Sequence, residues 1–370
     1  MNYYKDLLKN IDKTLLILPI IFAVISVIMI GSTAYSESFS FTRSMKIQIA
    51  AFILGMAAII IILLFDYLIL EQLDKIIYVI SILFLFTVFI PGLGLEQYGA
   101  RGWIDLGIMN FQPAEIVKIS FTVCYASYLT RNQGNLHTLK GLIIAGIYVF
   151  PFIAIIAVLQ NDLGNALVIA VIAAIMLFAA GVDGKLYAKV ATIVVLSIPI
   201  VYRFMAEHQK QRIDAFLHPD NLLLPGNYQV WQSKVAIGSG GILGKGLFEG
   251  TQKELKFLPV QDSDFIFSVI VEEWGFVGGV VIIVLYLIFL YRIMKIAKNA
   301  KDTFGSLIVI GILGMFFFQI FQNIGMTMGL MPVTGITLPF ISAGGSSVLT
   351  NMIALGIVLN ICMRSKVINF

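Results

Sequence analysis

Apolar runs that cross a bilayer, or nearly so, recur at about ten places along this chain: residues 14–31, 47–65, 73–91, 113–129, 141–158, 164–181, 186–202, 265–290, 304–325 and 341–362. About 20 apolar residues in a helix span the hydrocarbon core. Inside it every backbone polar group must be bonded internally, which favours the helix. The predicted fold is therefore all-α: a polytopic integral membrane protein of about ten transmembrane helices in a single domain, residues 1–370. The chain is 59% hydrophobic and 12% charged, whereas a soluble domain carries about 25% charged residues. Several runs are short or interrupted by Pro or Gly, so broken or re-entrant helices are expected among them.

The net charge of +4 follows the ends of these runs, which argues against nucleic acid as a partner. Cys124 and Cys362 both lie inside apolar runs, so neither a disulfide framework nor a Cys/His metal site is expected. The first run has no small-residue cleavage site after it and reads as a retained span. Lys and Arg concentrate on one side: Lys5, Lys9, Lys13, Lys75, Arg131, Lys140, Lys185, Lys189, then Arg292, Lys295, Lys298, Lys301, Arg364 and Lys366. By the positive-inside rule that side is cytoplasmic and holds both termini, with Arg43, Lys46 and Arg101 as exceptions. The connection over residues 203–264, between spans 7 and 8, is then a large extracellular loop, and loops of that length are usually functional.

Candidate chemistry collects around this loop. It ends in Phe257-Leu-Pro-Val-Gln-Asp262-Ser-Asp264-Phe-Ile-Phe267. Asp264 before an apolar run suits a helix N-cap, and a carboxylate there also suits a general base. Asp262 reads as a solvated loop residue, or as a neighbour that raises the pKa of Asp264 or helps hold a divalent cation. Glu272 and Glu273 would lie about 12–14 Å along the same helix, in ion pairs or facing a polar cavity. Pro113 reads as a first helical residue, which makes Glu115 and Lys118 i, i+3 neighbours: a neutralising pair, or a cation held for a phosphate. Arg101 is a lipid-headgroup contact or a diphosphate ligand. Asp162 in Gln160-Asn-Asp-Leu-Gly164 suits an N-cap, and is also a candidate substrate contact. So are Gln229, Ser233 and Lys234 in the loop and Ser342 in the Gly335–Ser347 run, whose Gly, Ser and Pro content suits an irregular segment against a polar cavity or close small-residue packing. The turn Gly238–Gly246 lacks a preceding strand and the Gly-Lys-Ser/Thr signature of a nucleotide loop.

Ordered motifs over nearly the whole chain resemble the SEDS family (shape, elongation, division and sporulation; RodA, FtsW and SpoVE), and its RodA members most. They are Gly99-Ala-Arg-Gly-Trp-Ile-Asp-Leu-Gly with Phe111-Gln-Pro-Ala-Glu-Ile-Val-Lys118, Asn161-Asp-Leu-Gly164, Trp231 to Gly241, Gly250 to Pro259, Asp264-Phe-Ile-Phe267 with Glu272-Glu-Trp-Gly275, and Asn323 to Pro332 with Leu338 to Ser347. The resemblance implies a peptidoglycan glycosyltransferase of the bacterial plasma membrane that polymerises lipid II by inverting transfer, for cell elongation and shape, with its active site on the outer face. It implies Asp264 as the essential aspartate and Glu115 and Lys118 as functional. Lys118, Arg101 and loop cations would assist the departing diphosphate. A divalent cation, Mg or Mn, on Asp264 and Asp262 is the candidate cofactor, with no organic cofactor. The implied partners are a class B penicillin-binding protein and the elongation machinery. A lipid II flippase, a transpeptidase scaffold and a division or sporulation polymerase are the competing readings. Asp262, Ala343 and Val260 stand where the family commonly has His, Tyr and Glu, which changes the expected local charge.

Overall fold

The computed structural model describes residues 7–34, 41–97, 99–107, 109–251 and 260–365. Lys5, Lys366 and the Gln252–Pro259 part of the motifs lie outside the described residues. A helix stands at each of the ten expected places: α1 (Lys13–Thr33), α2 (Arg43–Leu64), α3 (Asp74–Phe86), α4 (Pro113–Arg131), α5 (Leu139–Ala154), α6 (Leu163–Ala179), α7 (Gly184–Phe204), then α10 (Ile266–Lys298), α11 (Thr303–Thr327) and α12 (Gly345–Arg364). Among the described residues seven of these are long and apolar enough to cross a membrane, α5 by way of a π-turn that extends it to Leu159. α6 is apolar but shorter. The protein is a multi-pass membrane protein.

Local chemistry sets the helix starts. Asp12 accepts the amides of Thr14 (2.9 Å) and Leu15 (3.3 Å) to cap α1, and Asp302 accepts that of Gly305 (2.7 Å) to cap α11. Pro113 opens α4 as expected, because the first turn has no use for its missing N–H. Lipid tails are as apolar as the helices, so packing relies on small residues that let helices approach closely. A Cβ on Gly55 of α2 would lie 2.6 Å from Met352 of α12, and one on Gly311 of α11 2.4 Å from Thr122 of α4. Of those seven spans, α11 and α12 are the most buried, whereas no residue of α7 is buried. The first turns of α7 touch the bundle, where Tyr187 packs edge-on to Phe178 at 5.5 Å, and its last turn is tied to the loop by the Tyr202 hydroxyl on Asp214 at 2.6 Å.

Two features depart from a plain bundle. The Gly94–Phe111 connection folds into a small antiparallel sheet, β1 (Gly94–Gln97), β2 (Ala100–Asp105) and β3 (Asn110–Phe111), with Leu95 opposite Trp103 and Ile104 opposite Phe111. The loop over residues 203–264 carries α8 (Glu207–Leu217) and α9 (Asn227–Ser239). α9 packs along α10: Ser268 and Ser233 hydroxyls pair at 2.6 Å, and Ser233 also bonds the Thr327 carbonyl at 2.6 Å.

The expected span 265–290 is not one straight helix. At Gly275 the backbone takes φ 69° and ψ −170°, and α10 folds back on itself. A Cβ on Gly279 would lie 2.9 Å from Val271 and 3.6 Å from the ring tip of Phe267. In an unbroken helix residues twelve apart stand about 18 Å apart. The glycine-rich turn satisfies both arms at the reversal. Lys245 and Gly246 amides donate to the carbonyls of Glu272 (3.0 Å) and Glu273 (3.1 Å), and Phe276 and Val277 donate to Gly241 (2.9 Å) and Ile242 (3.2 Å). Gly238–Gly246 is thus a brace for a re-entrant hairpin.

The hairpin inverts the depth order expected of its acids. Glu273 accepts the Ser32 hydroxyl, and Glu272 pairs with Lys245 at 2.7 Å, both at the reversal. Ser26 reaches the Ile341 carbonyl (2.7 Å), and the adjoining Ser342 bonds the Ser263 carbonyl (2.6 Å). Ser26 and Ser32 are six residues apart on α1, about 9 Å along a helix. Asp264 therefore lies further into the bundle than Glu272 and Glu273. Those two glutamates do not line the Asp264 cavity; of the two expected settings Glu272 takes the ion pair.

Candidate active site

The turn over residues 260–265 holds Asp264 by its backbone. Val260 sits at φ 56°, and its carbonyl accepts the amides of Ser263 (3.3 Å) and Asp264 (3.1 Å). The next carbonyls are then taken in succession: Asp262 by the Ala343 amide (2.8 Å), Ser263 by the Ser342 hydroxyl (2.6 Å) and Asp264 by the Asn323 side-chain amide (3.0 Å). Asn323 also donates to the Ile336 carbonyl at 2.8 Å, so one buried side chain joins the turn to the irregular segment before α12. With these carbonyls tied to the protein, both carboxylates line the cavity. Asp264 does not cap α10: the helix has no side-chain cap bond, and the Asp264 carboxylate instead accepts the Ser263 hydroxyl at 3.0 Å.

The cavity measures about 760 Å³ and is walled by the sheet, α4, α6, α8, α9, the 260–265 turn and the segment before α12. Asp264, Asp262, Glu115, Asp162, Gln229 and Lys234 line it, as does the Gly344–Ser347 run. Asp162 caps α6 as expected through the Asn165 amide (3.0 Å), and its other carboxylate oxygen accepts the Gln112 side chain (2.8 Å) at the cavity wall. Glu115 bonds Lys118 at 2.7 Å through Oε1, while its buried Oε2 has no partner.

Four expected contacts stand outside the lining. Lys118 is fully buried behind Glu115 and serves as its counter-ion. Arg101 turns away to the Val88 carbonyl (3.2 Å) and the face of Phe89 (5.7 Å). Ser233 belongs to the α9–α10 contact. Ser342 bonds the Leu338 amide (2.8 Å) and the Ser263 carbonyl, and positions the turn.

Cationic side chains are nonetheless present: Arg212, Lys234 and Arg43 line the cavity, together with the imidazole of His208. Arg212 and His208 were visible in the sequence only as loop charges, because nothing local shows that α8 folds over the cavity. Burial pushes the Asp264 carboxyl up to about 6, with the Ser263 hydrogen bond and the Arg212 charge pulling it down and the Asp262 charge adding to the rise. Burial also raises Asp262, against a hydrogen bond from Ser44. Asp262 is thus a cavity wall rather than a solvated loop residue. Among the described residues no three His, Cys, Asp or Glu side chains stand close enough to form a metal site by themselves.

The chain is 34% identical over 361 residues to the peptidoglycan glycosyltransferase MrdB of Escherichia coli (strain K12), covering 97% of this chain and 95% of that one. It is 33% identical over 367 residues to the stage V sporulation protein E of Bacillus subtilis (strain 168), covering 96% and 98%. Its fold is similar to a chain of a peptidoglycan synthase complex that coordinates polymerization and crosslinking (TM-score 0.81, 28% identity, 96% and 98% covered). It is also similar to the rod shape determining protein RodA of Thermus thermophilus (TM-score 0.69, 27% identity, 95% and 96% covered). The family model described as cell cycle protein, for FtsW, RodA and SpoVE, matches residues 11–367, and the chain belongs to that family.

Proposed function

We propose that this protein is a peptidoglycan glycosyltransferase that polymerises lipid II into β-1,4-linked glycan, with Asp264 as general base. The observation that carries the reading is a partly buried carboxyl, raised to about 6, in a 760 Å³ cavity that also holds cations. A base near neutrality combines the ionised state with useful proton affinity. In one inverting displacement the acceptor 4-hydroxyl gives its proton to Asp264 as its oxygen attacks the donor anomeric carbon, and the lipid diphosphate leaves on the opposite side. That leaving group is already an anion, so cations help it more than an acid would. Arg212, Lys234 and Arg43 line the cavity for this task, in place of the enclosed Lys118 and the averted Arg101. Glu115 also lines the cavity, and its buried Oε2, left without a protein partner, would accept from a sugar hydroxyl or amide once the side chain turned toward it.

A divalent cation, Mg or Mn, belongs to the proposal: Asp262 and Asp264 would hold it, and it would neutralise charge on the departing group. The likeness to a chain of a polymerising and crosslinking complex supports a class B penicillin-binding protein as partner, within an elongation machinery. The cationic ends of α1 and α10 lie away from Asp264, which supports cytoplasmic termini and a cavity on the outer face of the plasma membrane. Purified protein in detergent, given lipid II, should make glycan polymer, and Asp264→Asn should make none while melting as a folded protein. Wild-type-like polymerisation by that variant would exclude Asp264 as base. No polymer from the wild type with its partner present would favour a transporter or a scaffold.

A further inference from the structure

We propose that a second cleft, at the end of the bundle away from Asp264, binds a phosphate ester anion. The cleft is about 530 Å³ and is walled by the start of α1 and the last turns of α10 and α12. Lys9, Lys13, Arg292 and Lys295 line it, against the single carboxylate of Asp12. That carboxylate is fully engaged. Its Oδ1 takes the α1 amides of Thr14 and Leu15, and its Oδ2 takes Arg292 at 2.5 Å. Lys13 and Lys295 are left with no anionic partner among the described residues. The Arg292 Nε is buried and has no acceptor.

Topology alone accounts for cations at helix ends on one side of a membrane. It does not account for three chain segments converging on one cleft, nor for a buried guanidinium donor left unsatisfied. Guanidinium and ammonium donors around a shared space match a phosphate, the guanidinium by directed N–H bonds and the lysines as point charges. Ile11 and Ile296 give the same cleft an apolar wall, and Thr14 and Asn299 add polar groups for ester or glycerol oxygens. Such an anion reaches the site either as the head group of an acidic lipid, as basic pockets between membrane helices allow, or as a soluble phosphate ester.

The test uses the purified full chain in a neutral detergent and follows its melting against added phosphatidylglycerol, phosphatidylcholine and inorganic phosphate. The melting temperature should rise with phosphatidylglycerol or inorganic phosphate and stay flat with phosphatidylcholine. Lys13→Gln/Lys295→Gln should move half-saturation to about tenfold higher concentration or more. Lys185→Gln/Lys189→Gln on exposed α7 removes the same charge elsewhere and should leave it unchanged. If the double variant folds poorly, Lys295→Gln alone should give a smaller shift in the same direction. A response to phosphatidylglycerol alone assigns a lipid head group, and one to inorganic phosphate as well assigns a soluble ester. The proposal is overturned by no response to either anion, by equal responses in wild type and the Lys13/Lys295 variant, or by equal weakening in the α7 control.

Discussion

The Asn323 side-chain amide donates to the Asp264 carbonyl at 3.0 Å and to the Ile336 carbonyl at 2.8 Å, so α11 sets the position of the candidate base through its backbone. Asn323→Leu leaves two carbonyls without a donor. It should cost about 2 kcal/mol or more in stability and lower kcat more than KM, because the base is displaced while the cavity walls remain. Unchanged kcat in a folded Asn323→Leu protein would show that the turn holds itself.

The rate of polymerisation should rise with pH through about 6, since Asp264 must be ionised to accept a proton. Asp262 adds to the rise of the Asp264 pKa, so Asp262→Asn should move this limb to lower pH. A limb that stays in place or moves upward would mean that Asp262 acts otherwise than by its charge.

Stability should respond in the opposite sense. The Asp264 carboxyl is raised from 3.8 to about 6 on folding, so the folded state binds more protons between those values, and its stability falls as pH rises through that window. Asp264→Asn removes the charge and should raise stability at neutral pH, on the order of 1–3 kcal/mol. Melting at pH 5 and pH 8 reads the difference: the gain should be larger at pH 8.

Gly275→Ala should be among the most damaging substitutions in the protein. Its φ of 69° with ψ of −170° lies in a region open essentially to glycine, and a Cβ there would lie 2.3 Å from the Gly244 amide nitrogen. Strain of that kind costs about 1–3 kcal/mol before the clash is added. Loss of folded protein, or a lower melting temperature together with loss of activity, is the expected result.

Glu115 and Lys118 separate a structural from a functional role. Each is buried, and their bond is 2.7 Å. Lys118→Met alone strands a buried carboxylate and should destabilise by about 3–5 kcal/mol. Glu115→Gln/Lys118→Met should recover most of that stability. If the free Oε2 of Glu115 holds substrate, the double variant stays impaired in polymerisation, with the defect chiefly in KM.

Much of this was legible in the residues. Ten apolar runs became ten helices because in lipid a segment that long has few other ways to bond its backbone. Asp162 and Pro113 mark helix starts because capping and the first-turn preference of Pro are local. The Glu115–Lys118 pair follows from i, i+3 spacing on α4. The Asp264 motif marked the candidate base, and six of the ten residues proposed for the site line one cavity.

What the sequence could not decide was direction and depth. Hydropathy measures how apolar a segment is and carries no sign for which way it runs. Re-entrant helices are expected among the interrupted runs, but that 265–290 is the one that turns back, and at Gly275, shows only in Gly279 lying against Val271 and Phe267. Long-range packing brought Arg212 onto the cavity, where it reaches the Thr334 carbonyl at 3.4 Å; Arg101 turned off it to Val88, and Lys118 is held behind its own helix neighbour Glu115. The sequence by itself determined a helical membrane protein with an acidic motif before its eighth apolar run. Only the tertiary structure decided that this motif lies inside the bundle, because its carbonyls are held by α11 and the segment before α12, and those contacts exist only once the helices have packed.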